Sequence, residues 1–440
     1  MEPRNKPSLL FKGVFFIQFY KVCTLKLKSI EKDLEGFVMK IGLLGYGVVG
    51  SGLVNMIEND PKKRDIQIEG ILVKNKGKHM NKKHYDKITD DIEEIFNKDI
   101  DTLVELIGDE ECAYKYIKRA LINKMNVVTA NKAVIADYGD ELVALADKNN
   151  VSLKFEASVA GGIPIIKTIT EALDGNSIHS INAILNGTTN FILSKMHNED
   201  LKYQDALRKA QEIGFAEADP SADVLGYDAA RKLAILSGLV YGKRVYWKDL
   251  YIEGINRIEK SDIECAEKLN CKVKMICHSE KKAGKISGYV RPALVDNTNV
   301  ISNIADENNI VEVFGNAVGK MSLVGKGAGS FATGSAVFSD LTDILENPVK
   351  NLTELVSPLA ELYPSTMIKE DIMVRYVDAN SERLQAILKE EGLDYDIVKE
   401  SISELVVFIR STTEKELDLI DKKAEALGIS EDSVRIIKAV

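Results

Sequence analysis

Between Ala210 and Lys232 the chain reads AQEIGFAEADPSADVLGYDAARK, crowding acids against a basic end inside apolar surroundings. Asp228 and Lys232 are four apart, so on a helix they share a face, where a carboxylate can steer an ammonium and offset part of its desolvation. The run that follows, LAILSGLV, is apolar on nearly every side and predicts a buried helix. An ammonium held this way can stabilise an oxygen that gains negative charge. A surface ion pair worth about 0.2–0.5 kcal/mol is the plainer explanation of the same spacing. Asp219-Pro220 reads as a helix start, with Asp as cap and Pro at the first helical position. Asp223 lies five residues before Asp228, with Gly226 between them as a possible break, so whether it shares the face stays open.

Such a site needs an element that brings a reactant to it. Lys40 to Leu44 is a buried-strand run, Gly45-Tyr46-Gly47-Val48-Val49-Gly50 follows, and Leu53, Val54, Met56 and Ile57 then recur at helical spacing. Strand, glycine turn and helix in that order predict a pyrophosphate site on the free N–H groups of the helix start. A tight turn without ligand would use the same glycines. The next strand, Ile66 to Val73, ends at Lys74 with Lys76 and Lys78 close behind, where an NAD-selective fold usually shows an acid. Lysines there could meet a 2′-phosphate, which favours NADP over NAD; a solvated basic loop is the alternative. Leu103 to Gly108 is a further strand, Cys112 to Asn123 a helix, and Val127-Val128 a strand, an alternation that implies a doubly wound parallel sheet whose strand ends face the ligand.

The 210–232 segment, spaced Ala-x3-Gly-Phe-Ala-x2-Asp-Pro-x2-Asp-Val-x-Gly-x-Asp-x3-Lys, resembles the signature of homoserine dehydrogenases. The resemblance implies Lys232 as proton donor, with Glu217, Asp223 and Asp228 lining the substrate's polar pocket. Thr129-Ala130-Asn131-Lys132-Ala133 is also similar, and implies Lys132 between cofactor and substrate; a helix cap followed by a surface lysine explains it too. Asn186-Gly187-Thr188 matches an element beside the substrate in that family, implying Asn186 and Thr188, although a capped helix start accounts for the same residues. In Phe155 to Pro164 the resemblance implies a monovalent cation such as Na+ held by Glu156 and the carbonyls of Val159, Gly161 and Ile163, against a plain backbone crossover. Gly325 to Gly329 and Thr333 to Asp340 resemble the return crossing to the nucleotide domain, bringing Gly327 near the cofactor. The cofactor set expected is thus Gly45, Gly47, Val48, Val49, Gly50, Lys74, Gly108, Lys132 and Gly327. The reaction implied is the NAD(P)H-dependent, reversible reduction of L-aspartate 4-semialdehyde to L-homoserine, in threonine and methionine biosynthesis, by a homodimer or larger homo-oligomer. Another aldehyde or imine reductase, or a non-catalytic nucleotide and amino-acid sensor, would share the glycine turn but leave the 210–232 segment unexplained.

After Asn347-Pro348 the pattern changes to strand Asp371 to Val377, helix Ser381 to Glu391, strands Tyr395 to Ser401 and Glu404 to Arg410, helix Glu414 to Leu427 and strand Val434 to Val440, a split β-α-β order. It looks like an ACT-type regulatory domain binding threonine or another amino acid. It has Asp378-Ala379-Asn380-Ser381 where Asp-x-Pro-Gly is common, and a ligand-free dimerisation module is the alternative. The expected organisation is an extension over 1–38, a dinucleotide-binding domain over 39–165 completed by 319–346, an α+β substrate and dimerisation domain over 166–318, and a ferredoxin-like, ACT-like domain over 366–440.

A formal charge of −9 gives no electrostatic case for nucleic acid. The five scattered cysteines argue against a disulfide framework and for a cytoplasmic protein. Leu9 to Phe19 is apolar but interrupted by Lys12, too short for a membrane span and without a clear cleavage site. Met39 opens directly on the first strand, so it is expected to be the natural start, with residues 1–38 a mis-assigned leader. Mass spectrometry of the native N-terminus checks this, and peptides from about residues 5–30 overturn it.

Overall fold

The computed structural model describes residues 38–282, 284–347, 349–430 and 432–439, so the apolar run Leu9 to Phe19, most of the expected leader, and residue 440 of the last strand lie outside the described residues. Strands β1 (Met39–Leu44), β2 (Ile66–Leu72), β3 (Ile88–Thr89), β4 (Thr102–Glu105), β5 (Asn126–Thr129) and β6 (Leu153–Lys154) form one sheet in the order 3-2-1-4-5-6. Every pairing in it is parallel. Helices α1 (Val48–Glu58), α2 (Glu110–Ile122) and α3 (Lys132–Asn149) supply crossovers, so β1 is covered on both faces and its residues are almost all buried. This is the doubly wound arrangement whose strand order reverses between β1 and β4, the place where ligands bind beyond the strand ends. β4 stops at Glu105, short of the expected Gly108, because the Ile107 N–H turns back onto the Glu105 side chain at 2.7 Å instead of continuing the ladder.

The second sheet holds β7 (Ile178–Ile184), β8 (Tyr251–Ile252), β9 (Cys271–Lys282), β10 (Lys285–Asp296), β11 (Asn308–Gly315), β12 (Gly319–Lys326), β13 (Glu370–Val377), β14 (Tyr395–Glu400), β15 (Glu404–Thr412) and β16 (Asp432–Lys438), with β8 beside β10 and the rest in the order 12-11-7-9-10-16-13-15-14. Packed with it are α4 (Gly187–Asn198), α5 (Tyr227–Tyr241) and α6 (Lys260–Lys268). The last four strands, with helices Ser381–Glu390 and Glu414–Ala426, have ferredoxin-like topology. They join the rest through a short parallel seam in which Ala293 and Leu294 of β10 face Ile437 and Lys438 of β16.

The chain crosses back to the first sheet after β12. The crossing is tight: Gly162 N donates to the Lys326 carbonyl at 3.0 Å, and a Cβ on Gly161, whose φ is +56°, would meet the Gly327 carbonyl at 2.3 Å. Helix α7 (Ser330–Glu346) then packs on α1.

The expected helix start at Asp219-Pro220 is corrected. The helical turn is only Ser221–Val224, with Pro220 as its cap residue, and the Asp219 carboxylate accepts from the Ser221 N–H and hydroxyl at 3.1 and 2.5 Å. Gly226 ends it in a left-handed conformation, φ +88°, and α5 begins at Tyr227. The turn presses so close that a Cβ there would lie 2.7 Å from Met275 Cε.

The ferredoxin-like unit is also pinned by an ion pair away from water. Arg375 Nε and Nη2 donate to the two oxygens of Asp262 at 2.8 and 3.1 Å, with side-chain exposures of 3 % and 0 %. Asp262 in addition accepts from the Glu259 N–H as part of the cap of α6. Breaking a buried pair on one side leaves a bare charge, so Arg375→Met should lower the unfolding free energy by about 3–5 kcal/mol. Urea unfolding followed by circular dichroism measures it, and a loss under about 1 kcal/mol would show the pair to be dispensable.

Candidate active site

Asp228 enters the protein interior from the first turn of α5. Its Oδ2 accepts from Lys232 Nζ at 2.6 Å, one helical turn away, and from Asn186 Nδ2 at 2.9 Å. Its Oδ1 faces Lys132 Nζ at 3.3 Å. Lys232 also donates to the Leu185 carbonyl at 2.8 Å, with a side chain only 12 % exposed. Burial by itself would push the Asp228 carboxyl up, but the ammonium groups of Lys232 and Lys132 outweigh it and hold the group well below the usual carboxylate range. The attraction is mutual: Asp228 raises the Lys132 ammonium. The two lysines thus meet on opposite oxygens of one carboxylate.

Asp223 joins this group despite the break at Gly226. The other contact of the Asn186 amide is Asp223 Oδ1 at 2.7 Å, while Asn186 Oδ1 accepts from the Thr189 N–H at 2.8 Å and caps α4. Cap duty therefore fixes the amide's orientation and points its N–H groups at both aspartates. Burial and then the Asp228 charge raise the Asp223 carboxyl, so the two carboxylates are driven apart in acidity. Thr188 is buried and donates to the Phe215 carbonyl at 2.8 Å. Glu217 is not brought to the cluster: it is exposed, and its backbone carbonyl accepts from Gln211.

Lys132 is placed by the first sheet. Asn131 caps α3, accepting from the Val134 N–H at 3.2 Å, and its own N–H donates to Thr129 Oγ1 at 3.0 Å. Thr129 Oγ1 donates in turn to Glu105 Oε2 at 2.5 Å, and Glu105 Oε1 takes the Ile107 N–H. One buried carboxylate thereby ties together the loops that carry Lys132 and Gly108. The sequence reading missed Glu105, though an acid inside the run Leu103-Val104-Glu105-Leu106-Ile107 was the signal available.

A cleft of about 750 Å³ opens at the reversal point between β1 and β4, lined by Gly45, Gly47, Lys74, Gly108 and Tyr116 among others. Gly45 has φ +101° and would bring a Cβ within 2.6 Å of the Leu106 carbonyl, and Gly50 packs on the Gly45 carbonyl, so both serve the turn itself. Gly47 borders open space, Val48 is exposed, Val49 is half-buried, and no side chain caps α1, which leaves its first N–H groups for a ligand. Gly327 is not among the residues lining the cleft. Its missing side chain instead makes room for Asn309, 2.4 Å from where a Cβ would stand.

Family models for homoserine dehydrogenase match residues 164–342, and for the homoserine dehydrogenase NAD binding domain residues 45–156. The homoserine dehydrogenase of Bacillus subtilis is 34 % identical over 417 residues, covering 90 % of this chain and 96 % of its own. The chain belongs to the homoserine dehydrogenase family. The crystal structure of a homoserine dehydrogenase from Thiobacillus denitrificans superposes with a TM-score of 0.85 at 32 % identity, covering 92 % of this chain and 98 % of that one. A hyperthermophilic archaeal homoserine dehydrogenase mutant in complex with NADPH matches at 0.60 and 29 % identity, over 71 % of this chain and 99 % of that one. As a homoserine dehydrogenase the protein is an NAD(P)-dependent oxidoreductase acting on a CH–OH group, and it interconverts L-aspartate 4-semialdehyde and L-homoserine.

Burial, only partly opposed by Thr129 and the Ile107 N–H, pushes the Glu105 carboxyl up to about 7. The folded value thus exceeds the unfolded one, so its favourable contribution is complete below about pH 4 and is lost as pH rises through about 7. Glu105→Gln should remove that decline, on the order of 3 kcal/mol. Thermal unfolding of both proteins from about pH 4 to 8 tests it, and parallel Tm profiles would contradict the assignment.

Proposed function

We propose that Lys232 is the proton donor to the aldehyde oxygen when aspartate 4-semialdehyde is reduced, with Asp228 setting its position. The observation that carries this reading is the two-lysine contact with one buried carboxylate, which concentrates positive charge where an oxygen becomes negative. Lys132 starts α3 and reaches the same carboxylate, which supports a role between cofactor and substrate although its side chain does not line the cleft. Asp223 and Asp228 are suited to the substrate's ammonium end, with Asn186 orienting both carboxylates and Thr188 beside it at the start of α4. Glu217 sits on the same segment and would have to turn inward to share that role.

The bound nicotinamide supplies the hydride. Its pyrophosphate would lie on the open start of α1 at Gly47 to Gly50, where Gly47 leaves room and no side chain competes for the N–H groups. Lys74 on the cleft wall favours a 2′-phosphate and hence NADP, although Asp90, Asp91 and Asp109 also line the cleft. Asp91 and Asp109 cap the starts of neighbouring helices, so their charge is partly engaged there.

A monovalent cation would suit Glu156 and the carbonyls of Val159, Gly161 and Ile163, which are hard oxygen donors. The Glu156 oxygens already accept from the Ile166 and Lys167 N–H groups at 2.9 and 2.8 Å and keep further lone pairs, while the Val159 and Gly161 carbonyls accept no hydrogen bond from described residues. The ferredoxin-like unit is read as the regulatory domain, for threonine or another amino acid, and the second sheet as the site of homodimer or higher assembly. No described helix is long and apolar enough to cross a membrane.

Mixing the protein with NADPH and aspartate 4-semialdehyde should consume NADPH absorbance at 340 nm. Lys232→Ala should cut kcat by about 10²–10⁴ with NADPH affinity, read by fluorescence titration, changed less than about threefold. Turnover within about threefold of the parent would remove Lys232 from the mechanism.

A further inference from the structure

Arg231 lies three residues after Asp228 on α5, and its side chain reaches the helices of the first sheet. The guanidinium rests on the ring of Trp247, with Cζ 4.6 Å from the centroid and 22 % of the side chain exposed. Two carboxylates stand off from it: Glu110 Oε2 is 3.9 Å from Nη2 and Asp137 Oδ2 is 4.0 Å from Nε, both beyond hydrogen-bond reach. Nε itself is buried without a hydrogen-bond partner among the described residues. A charged donor left in that state is costly, and native interiors satisfy nearly all such groups. A guanidinium between two acids that it does not quite reach marks contacts that this arrangement of the helices leaves open.

Each acid belongs to an element that the reaction needs. Asp137 is on α3, five residues after Lys132, and Trp247 Nε1 donates to its Oδ1 at 2.8 Å, which fixes the carboxylate and leaves Oδ2 towards Arg231. Glu110 opens α2 directly after its cap Asp109, and Gly108 and Asp109 line the nucleotide cleft. The helix of Arg231 itself carries Asp228 and Lys232. A movement of about 1 Å would bring both acids to the roughly 2.7–2.9 Å of a charge-assisted bond, and a guanidinium suits such a grip because its donors form a rigid fork. Its charge already acts on Lys132: Asp228 raises that ammonium, and Arg231 pulls it the other way.

We infer that Arg231 is a positioning residue: once cofactor and aldehyde are both bound, its fork closes on Glu110 and Asp137 and holds the cleft wall against the Asp228 cluster. It acts through those two acids and touches neither reactant. The inference rests on the reading that cofactor and aldehyde meet at that cluster, and not on which lysine gives the proton. A misplacement of about 1 Å between reacting groups can cost about 10²-fold in rate. The grip therefore shows in kcat more than in the affinity for either reactant alone.

Trp247 is the chain's single tryptophan, so the emission of the full-length enzyme reports on the ring under the guanidinium. NADP+ and aspartate 4-semialdehyde are both oxidised and cannot react with each other. Added together they should change that emission by more than the sum of the two added singly, and Glu110→Gln should abolish the excess. In turnover, Arg231→Gln and Glu110→Gln should each lower kcat about tenfold or more, with NADPH affinity, read by fluorescence titration, changed less than about threefold. The double variant should lose no more than about threefold beyond the worse single one, because both remove one contact. Arg231→Lys, which keeps the charge without the fork, should fall between Arg231→Gln and the parent. A smaller loss of kcat in either single variant, a larger change in NADPH affinity, or losses that multiply in the double variant would overturn the grip. Emission that answers the pair by no more than the sum overturns the closing movement. No turnover enters the emission test, so it stands whether or not Lys232 is the proton donor.

Discussion

A carboxylate withdrawn from water is tolerable only if positive groups surround it, and Asp228 meets that condition with two ammonium groups and an amide. Each partner comes from a different part of the chain: Lys232 from the same helix, Lys132 from the end of the parallel sheet, Asn186 from the cap of α4. Satisfying that single anion therefore brings the two sheets into register with each other. The cation-rich cluster that results is the feature on which the proposed chemistry draws.

Backbone approaches too close for side chains hold this arrangement. Gly161 against Gly327 and Gly226 against Met275 mark where the chain crosses or turns under the site. The left-handed Gly226 also sets Asp223 and Asp228 on separate helical pieces, which is why they can share the Asn186 amide although they are five apart in sequence.

Local chemistry was readable in the chain. The glycine turn, the alternation of strands and helices, the four-residue spacing of Asp228 and Lys232 and the split β-α-β order depend on neighbours within about thirty residues, a range in which periodicity and capping signals act. What escaped depends on distant partners. Nothing near Asn186 reveals that its amide would serve aspartates 37 and 42 residues away, and Glu105 finds Thr129 only once β4 and β5 pair. Pro220 stands at the cap and not in the first turn, and the short helix after it ends at Gly226, the break that the sequence had left open. The family resemblance supplied the reaction and several roles that spacing alone leaves open, and Glu217 remains the residue for which geometry and resemblance stand furthest apart.

The outer edge of β10 is shared, with β8 beside Tyr289 and Val290 and β16 beside Ala293 and Leu294. The hydrophobic cluster under this edge runs continuously from Ile276 and Tyr289 to Ile372 and Leu417. Because residues 432–438 are made long after β10, a nascent chain carries that apolar surface without its last covering strand through about the final third of its synthesis. The strand order thus fixes how long that surface waits for its cover.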